Sequence, residues 1–355
     1  MPQIDTLIEF LEAGGLAPRI YDMGRRILPL PRESFLRFER TETPYPQPLQ
    51  QQAWLALVLQ TGEDQAAQDP LIWFIRFPLD EQGKLLQAAR DDFLFQLMER
   101  LGKAATPGED QRREIESALE QNPYAFQPKQ ERLALFHARL TLDLKQPPSR
   151  FYDHAKRYFS GELGWDQWSF IGYQGIADLA ARQAQEANTR RLAAAIPHLP
   201  PTPLEALCHA LEQEPIPPSL AQALLERARE ALGSPEPDPQ VITATLRGIS
   251  HSASETHRKT LLTETLQHPM ARRSDVLAAV AGRLWLDLND GSVRAQFLEQ
   301  LAANDQGQEF FDQILSDLLY LVECRPGLLE SLRNPDRTER LGQAIGAFFS
   351  RVSPN

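Results

Sequence analysis

The chain has 355 residues, of which 42% are hydrophobic and 24% charged, and its formal net charge is −11. This length and composition predict a folded protein with room for two domains. The acidic charge disfavours general binding to nucleic-acid phosphates. The two cysteines, Cys208 and Cys324, are too few and too widely spaced for a disulfide framework or a CxxC metal site.

The chain carries no pattern that directs it to a membrane or to secretion. The first basic residue is Arg19, so the N-terminus lacks the basic start of a secretory signal. Apolar runs such as Ala53–Leu59 are far shorter than the roughly 18 residues that span a bilayer. We therefore expect a cytoplasmic protein that does not cross a membrane.

The first residues alternate between helical and extended patterns. Apolar residues in Ile4–Leu11 recur at helical spacing and stop at Gly14-Gly15. Arg19–Leu30 reads as a hairpin with a tight turn at Met23-Gly24. Pro31 then begins a second short helix.

Two further apolar runs, Ala53–Leu59 and Leu71–Phe77, are rich in β-branched and aromatic residues and predict a second hairpin. Asp80 is then placed to cap a long helix over Glu81–Leu101. Residues 1–105 are therefore predicted to form an α+β module with a small antiparallel sheet.

After a predicted linker at Gly102–Glu109, the pattern is helical throughout. Gly172 and Gly175 lie three residues apart in one of these segments, where small residues allow close helix packing. The first predicted helices are Gln111–Glu120, Pro128–Leu144, Ser149–Phe159 and Trp165–Ala181.

From Pro203 onward, the predicted helices group into pairs. The pairs begin near residues 203, 238, 274 and 307, and Asp238-Pro239 is a helix-start signal. This spacing of about 35 to 40 residues falls in the range of HEAT or armadillo helix pairs. We therefore predict a mainly α protein, with an α-helical repeat-like array over residues 110–355. An irregular helical bundle is the alternative.

No catalytic, cofactor-binding or metal-ligating residues are predicted. The seven histidines do not form an HExxH motif, and phosphate-binding loops and nucleophile elbows are absent from the sequence. Cys208 shares an apolar helical stripe with Leu204 and Leu211, which predicts a buried, unreactive thiol.

Two neighbouring stretches are candidates for interaction. Residues 129–157 are locally basic with interleaved aromatic residues, and a dense aromatic cluster follows from Trp165 to Tyr173. We expect most aromatic residues of the stretch to be buried and its charges to form a solvated face. The cluster either fills a junction or presents an exposed anchor for a partner. The predicted interaction surface is Trp165, Trp168, Tyr173, Arg150, Lys156 and Arg157.

Several N-terminal stretches resemble a bacterial family of uncharacterised proteins, a domain of unknown function. The resemblance implies no activity, cofactor or ligand. The stretches are Tyr21–Arg26, Pro44–Pro46, Gln51–Trp54, Phe77–Leu85 and Ala88–Phe93.

The leading functional hypothesis is a scaffold that binds another macromolecule, preferably a protein, through the helical array. A second hypothesis is an enzyme with a site between module and array, using carboxylates near Asp80 and arginines such as Arg25 or Arg26. A third is nucleic-acid binding through residues 129–157, which the acidic charge disfavours. No cofactor is predicted under any of them.

Overall fold

The computed structural model describes residues 6–59, 70–101, 122–185 and 187–352. The predicted linker and the predicted helix Gln111–Glu120 lie outside these residues. The chain divides into two compact units, one of residues 1–128 with 320–322, the other of residues 129–319 with 323–355.

The first unit contains a four-stranded antiparallel sheet with strand order β2-β1-β3-β4. Both predicted hairpins are present, so the small sheet is confirmed. The elements are α1 (Leu7–Ala13), β1 (Arg19–Asp22), β2 (Leu28–Leu30), α2 (Arg32–Glu39), β3 (Gln52–Leu59), β4 (Leu71–Pro78) and α3 (Gln87–Leu101).

One face of this sheet holds the core of the unit. Alternate residues of β3 and β4, such as Leu55, Leu57 and Ile75, are fully buried and pack with Phe35 of α2 and Phe93 of α3. Alternation of this kind follows from the pleat of a strand, which directs successive side chains to opposite faces.

Residues Tyr124–Phe126 pair with the outer edge of β4. The amide of Arg76 donates to Tyr124 O at 2.8 Å, and the amide of Phe126 donates to Phe74 O at 3.0 Å. The Phe126 ring lies edge-on to Trp54, with centroids 4.8 Å apart. The first compact unit therefore extends to Pro128, whereas the module was predicted to end near residue 105.

Two local predictions for this unit are wrong. The turn between β1 and β2 has five residues rather than two, because the amide of Met23 still pairs with Trp54 O at 2.7 Å. The long helix begins at Gln87 instead of Glu81. Asp80 Oδ1 accepts the amides of Gln82 and Lys84, each at 2.8 Å, and so closes a tight turn instead of capping a helix.

The described part of the second unit is built from helices arranged in two alternating layers. Each helix contacts the next helix of its own layer, two positions further along the chain. The first layer contains α4 (Gln130–Asp143), α6 (Tyr173–Ala181), α8 (Pro201–Leu211), α10 (Pro239–Ile249), α12 (Ser274–Arg283), α14 (Gln308–Leu319) and α16 (Glu339–Val352). The second layer contains α5 (Tyr152–Phe159), α7 (Asn188–Ala195), α9 (Pro218–Leu232), α11 (Glu255–Gln267), α13 (Gly291–Ala302) and α15 (Arg325–Arg333).

This stacking confirms the predicted helical array. First-layer helices begin at Pro201, Pro239, Ser274 and Gln308, close to the predicted pair starts. Asp238 caps α10 as predicted, accepting the amide of Gln240 at 2.9 Å.

The single helix predicted over Trp165–Ala181 is wrong. A 3₁₀ helix covers Trp165–Phe170, and α6 begins only at Tyr173, after Gly172 adopts an extended conformation. The predicted close packing at Gly175 is confirmed, since a Cβ atom there would lie 2.5 Å from Phe151 O.

Candidate functional site

The candidate site is built on α5 and on the 3₁₀ helix Trp165–Phe170, which we call the return segment. Gly161 and Gly164 adopt φ values of 78° and 82°, a conformation that favours glycine, and they turn the chain back after α5. The Tyr158 hydroxyl then donates to Trp165 O at 2.9 Å. At the other end, Gly172 lies against the Phe151 ring. The return segment therefore runs from the C-terminal end of α5 towards its N-terminal end.

Three large aromatic side chains on these elements face solvent, and we call them the aromatic patch. Phe151 is 41% exposed, Trp168 38% and Phe170 74%. The Arg150 guanidinium lies 4.9 Å from the centroid of the Phe151 ring and has no carboxylate partner among the described residues. Large exposed aromatic residues next to an arginine are typical of protein-binding hot spots.

The other basic residues of α5 are partly neutralised. Lys156 Nζ lies 3.7 Å from a carboxylate oxygen of Asp153, and Arg157 Nε lies 3.4 Å from Glu162. These charges form a mixed, solvated face, as predicted. A surface in which cations already have carboxylate neighbours is a weak site for a polyphosphate chain.

A pocket of about 470 Å³ opens at the C-terminal end of α5, and we call it the arginine pocket. The ring of Trp165 stacks on His198, with centroids 5.7 Å apart and planes inclined by 21°. The walls of the arginine pocket come from Phe159, Ser160, Trp165, Arg190, Arg191 and His198, together with three alanine side chains.

The two arginines of this pocket differ in their surroundings. Arg191 Nε donates to Ser160 Oγ at 2.8 Å, and its Nη1 donates to Asn188 Oδ1 at 2.5 Å. Arg191 is therefore held in a defined orientation. Arg190 is exposed, and no carboxylate among the described residues pairs with it. The pocket thus combines apolar walls with an available cation.

Of the six residues predicted for interaction, five lie on α5, next to it or on the return segment, whereas Tyr173 begins α6. Its hydroxyl is shielded from solvent, and burial, followed by the nearby Glu212 carboxylate, raises its pKa. The sequence-based site omitted Phe151, Phe170, Arg190, Arg191 and His198. Helical periodicity could not single out Phe151 and Phe170, because Phe151 precedes the first residue of α5 and Phe170 ends a 3₁₀ helix, which does not follow the 3.6-residue period.

Cys208 and Arg25, which were considered for catalysis, lie in the protein interior. Cys208 is fully buried, as predicted, and burial raises the pKa of its thiol. Arg25 is fully buried, and its Nε donates to Pro48 O at 2.9 Å. Within the described ranges, His, Cys, Asp and Glu side chains form no group able to hold a metal ion.

The sequence was also compared with known protein families. A family model described as "Protein of unknown function (DUF3549)" matches residues 2–349. The chain belongs to this family. The resemblance seen in the first hundred residues is therefore confirmed over nearly the whole sequence. No curated protein and no solved structure matches the chain.

Family membership assigns no reaction, so the function must be inferred from the site. Among the helices that the structure describes, none combines the length and apolarity needed to cross a bilayer.

Proposed function

We propose that this protein is a cytoplasmic scaffold that binds another protein through the aromatic patch on a HEAT-type helical array. The observation that carries the proposal is the joint exposure of Phe151, Trp168 and Phe170 on adjoining elements. Exposed aromatic side chains lose unfavourable contact with water when a partner covers them, and they lose little side-chain entropy on binding.

The charges around the patch favour a protein over a nucleic acid as the partner. Arg150 supplies a planar cation beside Phe151, suited to a carboxylate or an aromatic ring. Lys156 and Arg157 have Asp153 and Glu162 as neighbours. The chain as a whole carries a net charge of −11, which repels a polyanion.

The test is a double substitution, Trp168→Ala with Phe170→Ala, in the full chain. We expect a protein partner to co-purify with the wild type and its recovery to fall about tenfold or more with the variant, because hot-spot aromatics dominate binding energy. A thermal melt checks that the variant stays folded, since Phe170 is 74% exposed but Trp168 only 38%. The measurement is quantitative mass spectrometry of affinity-purified complexes.

Leu286→Ala is the matched control, because Leu286 is 46% exposed and belongs to a different part of the array. Its recovery of the partner should equal that of the wild type. Equal recovery by the double variant, or recovery of nucleic acid instead of protein, would contradict the proposal.

A further inference from the structure

The arginine pocket and the aromatic patch lie at opposite ends of α5. The pocket contains Phe159 and Ser160 at the C-terminal end, whereas Phe151 immediately precedes the N-terminal end. The return segment connects the two along the side of the helix. An eight-residue helix is about 12 Å long, so the two features are close enough for one ligand to reach both.

The chemistry of the pocket favours a carboxylate. Arg191 is oriented by Ser160 and Asn188, and Arg190 has no carboxylate partner among the described residues. Guanidinium groups bind carboxylates with paired, charge-assisted hydrogen bonds. Two acidic residues between α5 and α6 have other neighbours, because Glu162 lies near Arg157 and Asp166 accepts a hydrogen bond from Gln167 at 2.7 Å.

The surroundings of Trp165 disfavour a nucleobase in the same pocket. The ring of His198 already stacks on Trp165, and Tyr158 lies edge-on with its centroid 5.7 Å away. A Cβ atom at Gly161 would come within 3.2 Å of the Trp165 ring. A base that needs an open aromatic face would have to displace one of these neighbours.

We propose that the arginine pocket binds a carboxylate of an extended segment of the protein partner, while an apolar side chain of that segment packs on the aromatic patch. This inference deepens the proposed function and rests on it. An extended chain rises about 3.3 Å per residue, so about four residues cover the length of α5. The segment is therefore an acidic peptide whose Asp or Glu side chain, or C-terminal carboxylate, lies about four positions from a bulky apolar residue.

The test uses a library of random dodecapeptides displayed on phage and selected on the full-length protein. The selected peptides should pair an acidic residue with an apolar residue at the stated spacing. A fluorescent copy of the tightest peptide then serves as the binding probe. Arg190→Glu should weaken its binding at least about tenfold, because attraction becomes repulsion. Replacing the peptide's acidic residue with Lys should restore part of the binding to this variant.

Arg340→Glu is the matched control, since Arg340 is also exposed and lies on α16. It makes the same change in net charge and should leave peptide binding within about twofold of the wild type. Thermal melts of both variants should match the wild type, because both side chains face solvent.

Several results would overturn the inference: no binding peptide, selected peptides without acidic residues, or equal effects of the two arginine variants. Binding of a fluorescent oligothymidylate that Arg190→Glu abolishes would replace the peptide with a nucleic acid. If Trp168→Ala with Phe170→Ala loses the partner while Arg190→Glu keeps it, the proposed function stands and only the pocket inference fails. If neither variant affects the partner, both fail.

Discussion

Glu212 follows the C-terminal end of α8 and is 1% exposed. Its carboxylate accepts Arg247 Nε at 2.7 Å and Arg247 Nη2 at 2.9 Å, and Arg283 Nε lies 2.9 Å away. Burial alone would raise the pKa of Glu212, but Arg283 and Arg247 outweigh burial and lower it to about 2. The ionised carboxylate thus links α8, α10 and α12.

We expect Glu212→Gln to lower the free energy of unfolding by about 3–5 kcal/mol at pH 7, because removing one partner leaves buried cations uncompensated. The folded pKa lies below the unfolded value of 4.5. The stabilisation is therefore present above pH 4.5 and disappears as the pH falls through about 2. Urea unfolding of wild type and variant between pH 7 and pH 3 measures this difference, which should shrink towards the acid end.

Glu264→Gln is the matched control. Glu264 also forms a two-pronged pair with an arginine 35 residues away, Arg229, at 2.6 and 2.9 Å. Both side chains of this pair are substantially exposed. Water already solvates them, so the substitution should leave the unfolding midpoint nearly unchanged. Equal losses in the two variants would show that burial does not decide the strength of these pairs.

The pKa of Glu39, in the first unit, is shifted in the opposite direction to that of Glu212. Glu39 is 1% exposed, and its carboxylate accepts the amide of Leu7 at 2.8 Å at the start of α1. Burial raises the pKa of Glu39 to about 7, although the amides of Leu7 and Ile8 and the charge of Arg90 act in the other direction. The folded protein therefore holds a proton here that the unfolded chain releases at lower pH.

This shift predicts that ionisation of Glu39 costs stability as the pH rises from 4.5 to about 7. Glu39→Gln, which cannot ionise, should gain roughly 1–3 kcal/mol relative to wild type between pH 5 and pH 8. Thermal unfolding across this range is the measurement. Glu42→Gln, at an exposed carboxylate, should show no such trend. If the difference in stability between Glu39→Gln and wild type does not change with pH, the shifted pKa is contradicted.

Helices of the array contain glycines with opposite packing environments. A Cβ atom at Gly175 in α6 would lie 2.5 Å from Phe151 O and 3.1 Å from Ala155 Cβ. At Gly346 in α16, a Cβ atom would meet nothing within 4 Å. The first glycine allows the chain at the start of α5 to approach α6, whereas the second contributes only backbone freedom.

Alanine substitution should therefore have opposite signs at the two positions. Gly175→Ala should destabilise the protein by about 1–3 kcal/mol, because backbone atoms would have to move apart. Gly346→Ala should stabilise it by about 0.5–1 kcal/mol, the usual difference in helix propensity. Chemical denaturation of both variants provides the comparison. A stabilising Gly175→Ala would mean that the contact with Phe151 is not held in solution.

At the scale of the whole molecule, the second unit is a stack in which each helix supports its neighbours in the same layer. α10 lies between α8 and α12, whereas α16 is the last described helix of its layer and contacts α14 in that layer and α13 in the other. In such arrays, stability is close to a sum of repeat and nearest-neighbour contributions.

Hydrogen exchange should reflect this position in the stack. We expect amides of α16 to exchange about tenfold or more faster than those of α10, because opening the end of the stack breaks fewer interfaces. Peptide-resolved exchange followed by mass spectrometry is the measurement. Equal protection of α10 and α16 would indicate that the array unfolds as one cooperative unit.

Local patterning in the sequence was enough to predict most elements of the fold. The β-branched and aromatic runs of β3 and β4, the apolar stripe around Cys208 and the cap at Asp238 each depend on residues close in the chain, and the structure confirms them. The predicted ends of helices and turns were wrong where a contact between residues far apart in the chain intervened. The pairing of Met23 with Trp54 lengthened the first turn, and the turn at Asp80, in which Gly83 O accepts the distant amide of Tyr45 at 2.8 Å, delayed α3.

The sequence by itself determined the α+β start, the helical array and the aromatic and basic character of residues 150–170, because periodicity and composition are local properties. Only the tertiary structure decided which of those aromatic residues face solvent. Tyr158 is buried under Trp165, whereas Phe170 is 74% exposed. Likewise, Arg190 joins Trp165 in one pocket because α7 packs on α5. Exposure and juxtaposition depend on contacts between residues far apart in sequence, which a local pattern does not encode.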